Sequence, residues 1–398
     1  MLSALSPRAR VILLALVGVA GGLLVFGALR KRGGPGDPFD ALPRDSFLVA
    51  TVNVAELRRS PLYEVLFGKD APAPGSRSQT AVLDPRAIGI GKLADACGFD
   101  PLSRVETLAL GVPEEGDKGE LGVAARVTVT SDELSKCTTN LATQRGGKVE
   151  TKDIGSFTVI EDSTSQEPAR PRLAYGHGGL LVVGRGAWFD AMLAAADGKK
   201  PGVREAEQHA AMRMSLTSRD GWRSPTVLIS ALLPRSLRDR IKNEMGVELS
   251  NAVSGGKPED ESQTVMSGVL GVSSVGLALR AGESGGSIDA ASELVCDTEG
   301  ACASVEKLIL KKRFDWSKEL TLRMVGLGAL LDSIEVKREG TRIRVTAGAS
   351  ADNLVSAIDR VLRLKARSRA QDGEPPRSGT KDGDPKRGET IPAPRPSH

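Results

Sequence analysis

"FLVATVNV", Phe47 to Val54, and "TVLISALL", Thr226 to Leu233, decide how this chain is read. Both are short runs rich in β-branched and aliphatic side chains, too short for a globular helix and well suited to a strand. Each leads into a segment with helical spacing, "AELRRSPLYEVLF" after the first and "PRSLRDRIKNEMG" after the second. The same order of elements then continues twice. "VETLALGV" and "GVAARVTV" precede the helix "SDELSKCTTNLATQR", where Leu134, Cys137, Thr138 and Leu141 share a face. Later, "VSSVGLALRA" and "SIDAASELV" precede "TEGACASVEKLILKK", where Ala301, Val305, Leu308 and Ile309 do the same. Ser131 and Thr298 are the expected N-caps, with acidic residues in the turn that follows each.

Each half closes in the same way: "SFTVIED", "RLAYG", "LLVVGRG" and the helix "AWFDAMLAA" in the first, "SIEVKRE", "TRIRVTAGA" and "ADNLVSAIDRVLRL" in the second. The offset of roughly 165 to 180 residues is too long for a solenoid and suits a duplicated domain. The expected fold class is α+β: a duplicated, mostly antiparallel sheet with helices packed on one face. The first repeat spans 39–222 and the second 223–365.

Ahead of the repeats lies "VILLALVGVAGGLLVFGALRKR", Val11 to Arg32, with no charge from Val11 to Leu29. At about 1.5 Å per residue that run matches a hydrocarbon core of roughly 30 Å, so 11–32 is read as a transmembrane helix with a basic flank. It follows a short tail, 1–10, and precedes a breaker-rich linker, 33–38. A cleaved signal peptide fits less well, because a cut after Gly18-Val19-Ala20 strands Leu23 to Leu29 on the mature chain. At the other end, 366–398 alternates proline, glycine and charge with almost no large apolar side chain, the composition of a disordered tail. "SGGKPEDESQ", Ser254 to Gln263, reads as an exposed loop.

Arg8 and Arg10 on one side and Arg30, Lys31 and Arg32 on the other nearly balance, so flanking charge does not orient the anchor. The cysteines help instead. Cys97, Cys137, Cys296 and Cys302 are even in number and match no zinc spacing, which favours disulfides in an oxidising compartment. Which cysteine pairs with which stays open; a bridge between Cys296 and Cys302 requires α-carbons within about 7 Å. The expected location is the inner membrane with the bulk of the chain periplasmic.

With 54 basic and 50 acidic residues the net charge is +4, no footprint for nucleic acid, and 3% aromatics is too few for a base-stacking surface. The basic string Arg360 to Arg369 complements a helix dipole. "GESGG", Gly282 to Gly286, looks like the nucleophile motif of trypsin-like proteases, with Glu283 for the usual aspartate, and "GHGG", Gly176 to Gly179, resembles an esterase oxyanion strip. The α/β-hydrolase order needs a histidine after Ser284, and only the terminal His398 follows it. A protease order would use His177 or His209, and the flanks of Ser284 run strand to strand. "GIGKLA", Gly89 to Ala94, follows no strand and is no dinucleotide fingerprint. Three scattered histidines and turn carboxylates such as Glu114 and Glu115 make no metal site, and Trp188, Trp222 and Trp316 read as packing residues. No catalytic, cofactor or metal residues are assigned.

"LPRDSFLVATVNVAELRRSPL" (Leu42 to Leu62), "CGFDPLSRVETLALGV" (Cys97 to Val112) and "LAYGHGGLLVVGRGAWFDAMLAAADGK" (Leu173 to Lys199) resemble uncharacterised bacterial envelope proteins with one N-terminal anchor and a duplicated exterior region. The resemblance implies a cell-envelope location and brings no catalytic residues. The function expected is therefore a membrane-anchored, non-catalytic binding or scaffold protein with a protein partner. The alternatives are a serine hydrolase using Ser284, and a lipid or solute carrier with its pocket between the halves.

Overall fold

In the computed structural model the described residues are 36–61, 90–114, 121–164, 170–218, 224–240, 267–282 and 286–358, with residues 63, 222, 242, 243 and 360. Among them one twelve-stranded antiparallel sheet dominates. The first three strands form a meander: β1 (Ser46–Asn53), β2 (Val105–Pro113) and β3 (Gly122–Val127). After a helix, the chain adds β4 (Val149–Ile154), β5 (Phe157–Asp162), β6 (Pro171–Gly176) and β7 (Leu180–Arg185), and β7 returns to pair with β3. The second half builds another meander from β8 (Val227–Leu232), β9 (Val272–Ala281) and β10 (Ser287–Cys296). After its helix come β11 (Glu335–Glu339) and β12 (Arg342–Ser350), with β12 returning to β10. The order across the sheet is β11-β12-β10-β9-β8-β1-β2-β3-β7-β6-β5-β4.

The stretches Phe47 to Val54 and Thr226 to Leu233 are neighbours at the centre. β1 pairs antiparallel with β8, from Leu48 opposite Ala231 to Val52 opposite Val227, so a single sheet runs through both halves. Both outer strands are highly charged: the four central residues of "VETKDI" in β4 are exposed, and so is all of "EVKRE" in β11 but Val336. Charged side chains on a free edge oppose pairing with another chain.

The helices include α1 (Val54–Leu57), α2 (Ile90–Cys97), α3 (Pro101–Arg104), α4 (Ser131–Gln144), α5 (Gly186–Ala196), α6 (Glu207–Thr217), α7 (Glu299–Lys318), α8 (Leu320–Met324) and α9 (Gly328–Asp332), and the runs 235–240 and 351–358 are helical too. They do not share one face, contrary to the expectation. Adjacent strand residues belong to different cores: Ala124, Val159 and Val182 pack with Trp188, Phe189 and Met192 of α5, whereas Ala125, Ile160 and Leu181 pack with Leu134 of α4. In the second half Leu228 and Ala278 meet Met212 and Leu216 of α6, while Val275 and Ile343 meet Cys302 and Val305 of α7. Strands such as "VAARV" are apolar at consecutive positions, so both surfaces of the sheet need cover.

Local chemistry accounts for the helix starts. The N-cap of α4 is Thr130, one residue before the expected Ser131, in a capping box with Glu133. Thr298 caps α7 as expected, its side chain accepting from the Ala301 amide. Between β6 and β7, Gly178 and Gly179 take φ values of 72° and 74°, and a Cβ on Gly179 would sit 2.4 Å from the Val127 carbonyl oxygen. Glycine is therefore required at this turn.

Both disulfides form. Cys97 at the end of α2 joins Cys137 of α4, and Cys296 joins Cys302, with Cα separations of 4.1 and 5.5 Å. Closing a 40-residue loop, the first bridge contributes about 3–4 kcal/mol in the chain-entropy account. Among the described residues no helix is long and apolar enough to cross a membrane. Val11 to Leu29, the loop Ser254 to Gln263 and the tail 366–398 lie outside the described residues.

Candidate functional site

Where β1 begins and β8 ends, the seam between the halves opens into a cleft of about 600 Å³. Its floor includes Leu232 and Leu233, and Arg44, Arg235, Arg238 and Arg342 line it. Arg44 comes from the segment leading into β1; Arg235 and Arg238 lie on the short helical run 235–240 after β8. Among the described residues, Arg44 and Arg235 make no ion pair. Arg238 is buried, donating 2.6 Å bonds from Nη1 to Asp297 Oδ2 and the Leu270 carbonyl, and its buried Nε has no partner among the described residues. Arg342 is taken up by Glu293. Glu114, expected in a solvated turn, lines the same cleft and accepts a 2.5 Å bond from Ser236 Oγ. Guanidinium groups over an aliphatic floor supply ion pairing and apolar contact, the needs of an anionic or amphiphilic guest.

His209 is packed beside this seam and is wholly buried. Its Nε2 donates to the Ser46 carbonyl and its Nδ1 accepts from Ser230 Oγ, each at 2.8 Å. One ring on α6 thus binds the first strand of each half. Burial pushes the imidazole below its ordinary 6.5; the bond to Ser46 opposes this and the nearby Arg213 charge adds to it. The folded state therefore binds this proton more weakly than the unfolded chain. His209's contribution is complete above pH 6.5 and is lost as pH falls from there toward the lowered folded value. We expect thermal unfolding midpoints to drop between pH 7 and pH 5, with a shallower slope in His209→Gln; an unchanged slope assigns the titration elsewhere.

The opposite end of the strands holds the entry of the chain. Arg126 Nε donates to the Gly36 carbonyl at 3.3 Å, and Arg204 donates to Asp37 and Asp40 at 2.7 and 2.6 Å. Arg213 stacks on Phe39, 4.2 Å from the ring centroid, and donates to Thr51 Oγ1 at 3.0 Å. Burial, with Arg204 close by, brings its pKa down to about 10, against the opposing pull of Asp37. Residues 36–41 are thus clamped to the sheet.

The sequence motifs are not brought together. Ser284 lies outside the described residues, and its flanks, Ala281 and Ser287, end β9 and begin β10 as a hairpin. Ser230, the partner of His209, is opposite Gly276, five residues before Ala281, which is roughly 16 Å along the strand. His177 is exposed in the β6–β7 turn, and β7 lies five strand positions from β9, about 24 Å across the sheet. Neither histidine reaches that hairpin turn. Trp188 is buried and donates from Nε1 to the Gly111 carbonyl at 3.3 Å, and Trp222 packs against the α6 core. Trp316, expected to be a packing residue, is instead 49% exposed. The arginine cleft escaped the sequence reading because its lining comes from positions scattered between Arg44 and Arg342. Among the described residues no group of histidine, cysteine and carboxylate residues is placed to hold a metal ion.

No protein-family model matches this sequence, and no curated protein does. Among solved structures, the chain is similar to the one titled "Structure of crystal form I of TP0453", with 10% identity and a TM-score of 0.37 over 82% of this chain and 97% of that one. A likeness of that degree carries no argument about fold or function.

Proposed function

We propose that this chain is a single-pass, membrane-anchored binding protein of the bacterial cell envelope, non-catalytic, with Val11 to Leu29 as its anchor and the sheet outside the cytoplasm. On this reading 39–222 and 223–365 are two copies of one unit. Both contain a three-stranded meander, a helix, and strands that return to the third strand. The observation that carries the location is that all four cysteines are paired, which the reducing cytosol disfavours. The binding site is the seam cleft, and a protein partner with an acidic, apolar-tipped segment fits it. The test is a reporter fusion at Arg363 scored for export, with thiol alkylation under non-reducing conditions. Expected are an exported reporter, retention in the membrane fraction and no reactive thiol before reduction. Four reduced thiols in a soluble cytosolic fraction overturn the reading.

The apolar floor of the cleft also favours a second reading, a carrier of an anionic lipid or solute. Native mass spectra of the purified full chain then show a co-purified acidic amphiphile that disappears in Arg44→Ala/Arg235→Ala. Its absence from the unmodified chain leaves the protein-partner reading in place.

A further inference from the structure

Eight large hydrophobic side chains are exposed among the described residues, and five of them lie between positions 310 and 324: Leu310, Phe314, Trp316, Leu320 and Met324, from 42% to 68% exposed. Leu310 and Phe314 are one turn apart on the outer side of α7, away from the buried Cys302 and Val305. Lys307, Lys311 and Lys318 repeat at helical spacing along the adjacent line, and Lys318 Nζ lies 3.7 Å from the Phe314 ring centroid. Trp316, Leu320 and Met324 lie where α7 passes into α8. Scattered exposed leucines are ordinary, but a concentrated patch marks a contact surface. Among the described residues Lys307, Lys311, Lys312 and Lys318 make no ion pair, so the surface presents unpaired cations beside its apolar groups.

The topology places this corner. β10 runs from Ser287 to Cys296, and α7 starts three residues later and runs back along the sheet, packed against β10, β11 and β12. Arg338 of β11 pairs with Glu306 at 2.7 Å, and Arg313 donates to the Asp332 carbonyl at 3.4 Å just before β11 begins. The C-terminal end of α7 therefore lies at the end of the sheet where β10 begins. Following the ladder, Ala290 is opposite Leu279, Leu279 opposite Val227, Val227 opposite Val52, and Asn53 opposite Thr107, which pairs with Arg126. Arg126 holds Gly36, so the patch and the entry of the chain share one end of the strands. From β3 to β11 is seven strand positions, about 34 Å. The arginine cleft is at the other end.

We propose that the α7–α8 corner is a second membrane contact, which docks on a bilayer surface carrying anionic lipid, with the lysines on the headgroup phosphates and Phe314, Trp316, Leu320 and Met324 at the headgroup boundary. The proposal rests on the anchored reading above. Charge complementarity selects the occupant: three lysines in register beside apolar and aromatic groups match an anionic interface. Two attachments, a clamped entry and a corner about 34 Å away, then fix the sheet upright on the bilayer with its cleft facing outward.

The full chain is placed in vesicles of phosphatidylcholine, with or without phosphatidylglycerol at about one third, and Leu320→Cys carries an environment-sensitive fluorophore. Expected are a blue shift and quenching by brominated lipid in the anionic vesicles, both absent for a label at exposed Lys337. Lys307→Gln/Lys311→Gln/Lys318→Gln weakens docking on the order of 100-fold and removes the shift. A label at 320 that stays water-like while the chain remains in the vesicles overturns the corner contact and leaves the anchor intact. Equal quenching in neutral vesicles, or photocrosslinking from position 320 to protein in place of lipid in cells, overturns it as well. Failure of the anchor itself shows separately, as chain recovered outside the vesicles.

Discussion

Replacing Arg344 by methionine lowers the stability of the protein by about 3–5 kcal/mol, because it leaves a buried carboxylate short of its main counter-charge. Glu293, in the middle of β10, is 1% exposed and accepts from Arg344 Nη2 at 2.6 Å, Arg342 Nη1 at 2.7 Å and Ser215 Oγ at 2.6 Å. Arg344 also donates to the Ser215 hydroxyl at 2.9 Å, so the network ties α6 to β10 and β12. Arg342 is half in solvent and compensates poorly alone. The double variant Glu293→Leu/Arg344→Met should recover most of the loss, since a well-packed apolar pair carries no unpaired charge. Chemical denaturation of both variants measures this; equal losses in single and double variant refute the charge account.

The same network sets an acid limit. Burial acts to raise the pKa of Glu293, but the Ser215 hydroxyl and the two arginines outweigh it and hold the carboxyl below its ordinary 4.5. Its stabilisation is therefore present above pH 4.5 and is lost as pH falls through the lowered folded value. That window opens at a lower pH than the one set by His209, 4.5 against 6.5.

Phe189→Ala should cost about 3–5 kcal/mol, the range for emptying a large buried aromatic site. Phe189 is wholly buried in α5, among Leu42, Val159, Val182 and Met192, with the Arg172 guanidinium 4.4 Å from its ring centroid. Collapse around the gap is restricted by backbone: a Cβ on Gly184 would already lie 3.3 Å from Phe189 Cβ, so strand and helix are in close contact there. Trp316→Ala is the control, because an exposed side chain outside any core should change stability by no more than about 0.5 kcal/mol. Calorimetry on the two variants gives the contrast. A small loss for Phe189→Ala would mean that the α5 core repacks freely.

Much of the architecture was legible because it is local. The "LLVV" of β7 and the "VLIS" of β8 announce strands, and the glycines of "YGHGGLL" force the turn between β6 and β7. Charged "VETKDI" escaped notice because an edge strand buries almost nothing and so lacks an apolar signature. Helix α6 also escaped, since "EQHAAMRMSLT" carries only a weak apolar stripe and is fixed by His209, Ser215 and Arg213 reaching polar groups on the sheet. The cleft left no pattern at all, its arginines being far apart in the chain.

The sequence by itself determined the class of structure, the strands of both meanders, the helices that follow them and the even set of cysteines, because side-chain periodicity and turn chemistry act over a few residues. Only the tertiary structure decided that β1 lies against β8, that helices cover both faces, and that Cys97 meets Cys137. Those outcomes depend on contacts such as Leu48 with Ala231. A strand that is apolar on both sides offers two equivalent faces, and which helix covers which face is settled only when the whole sheet has assembled.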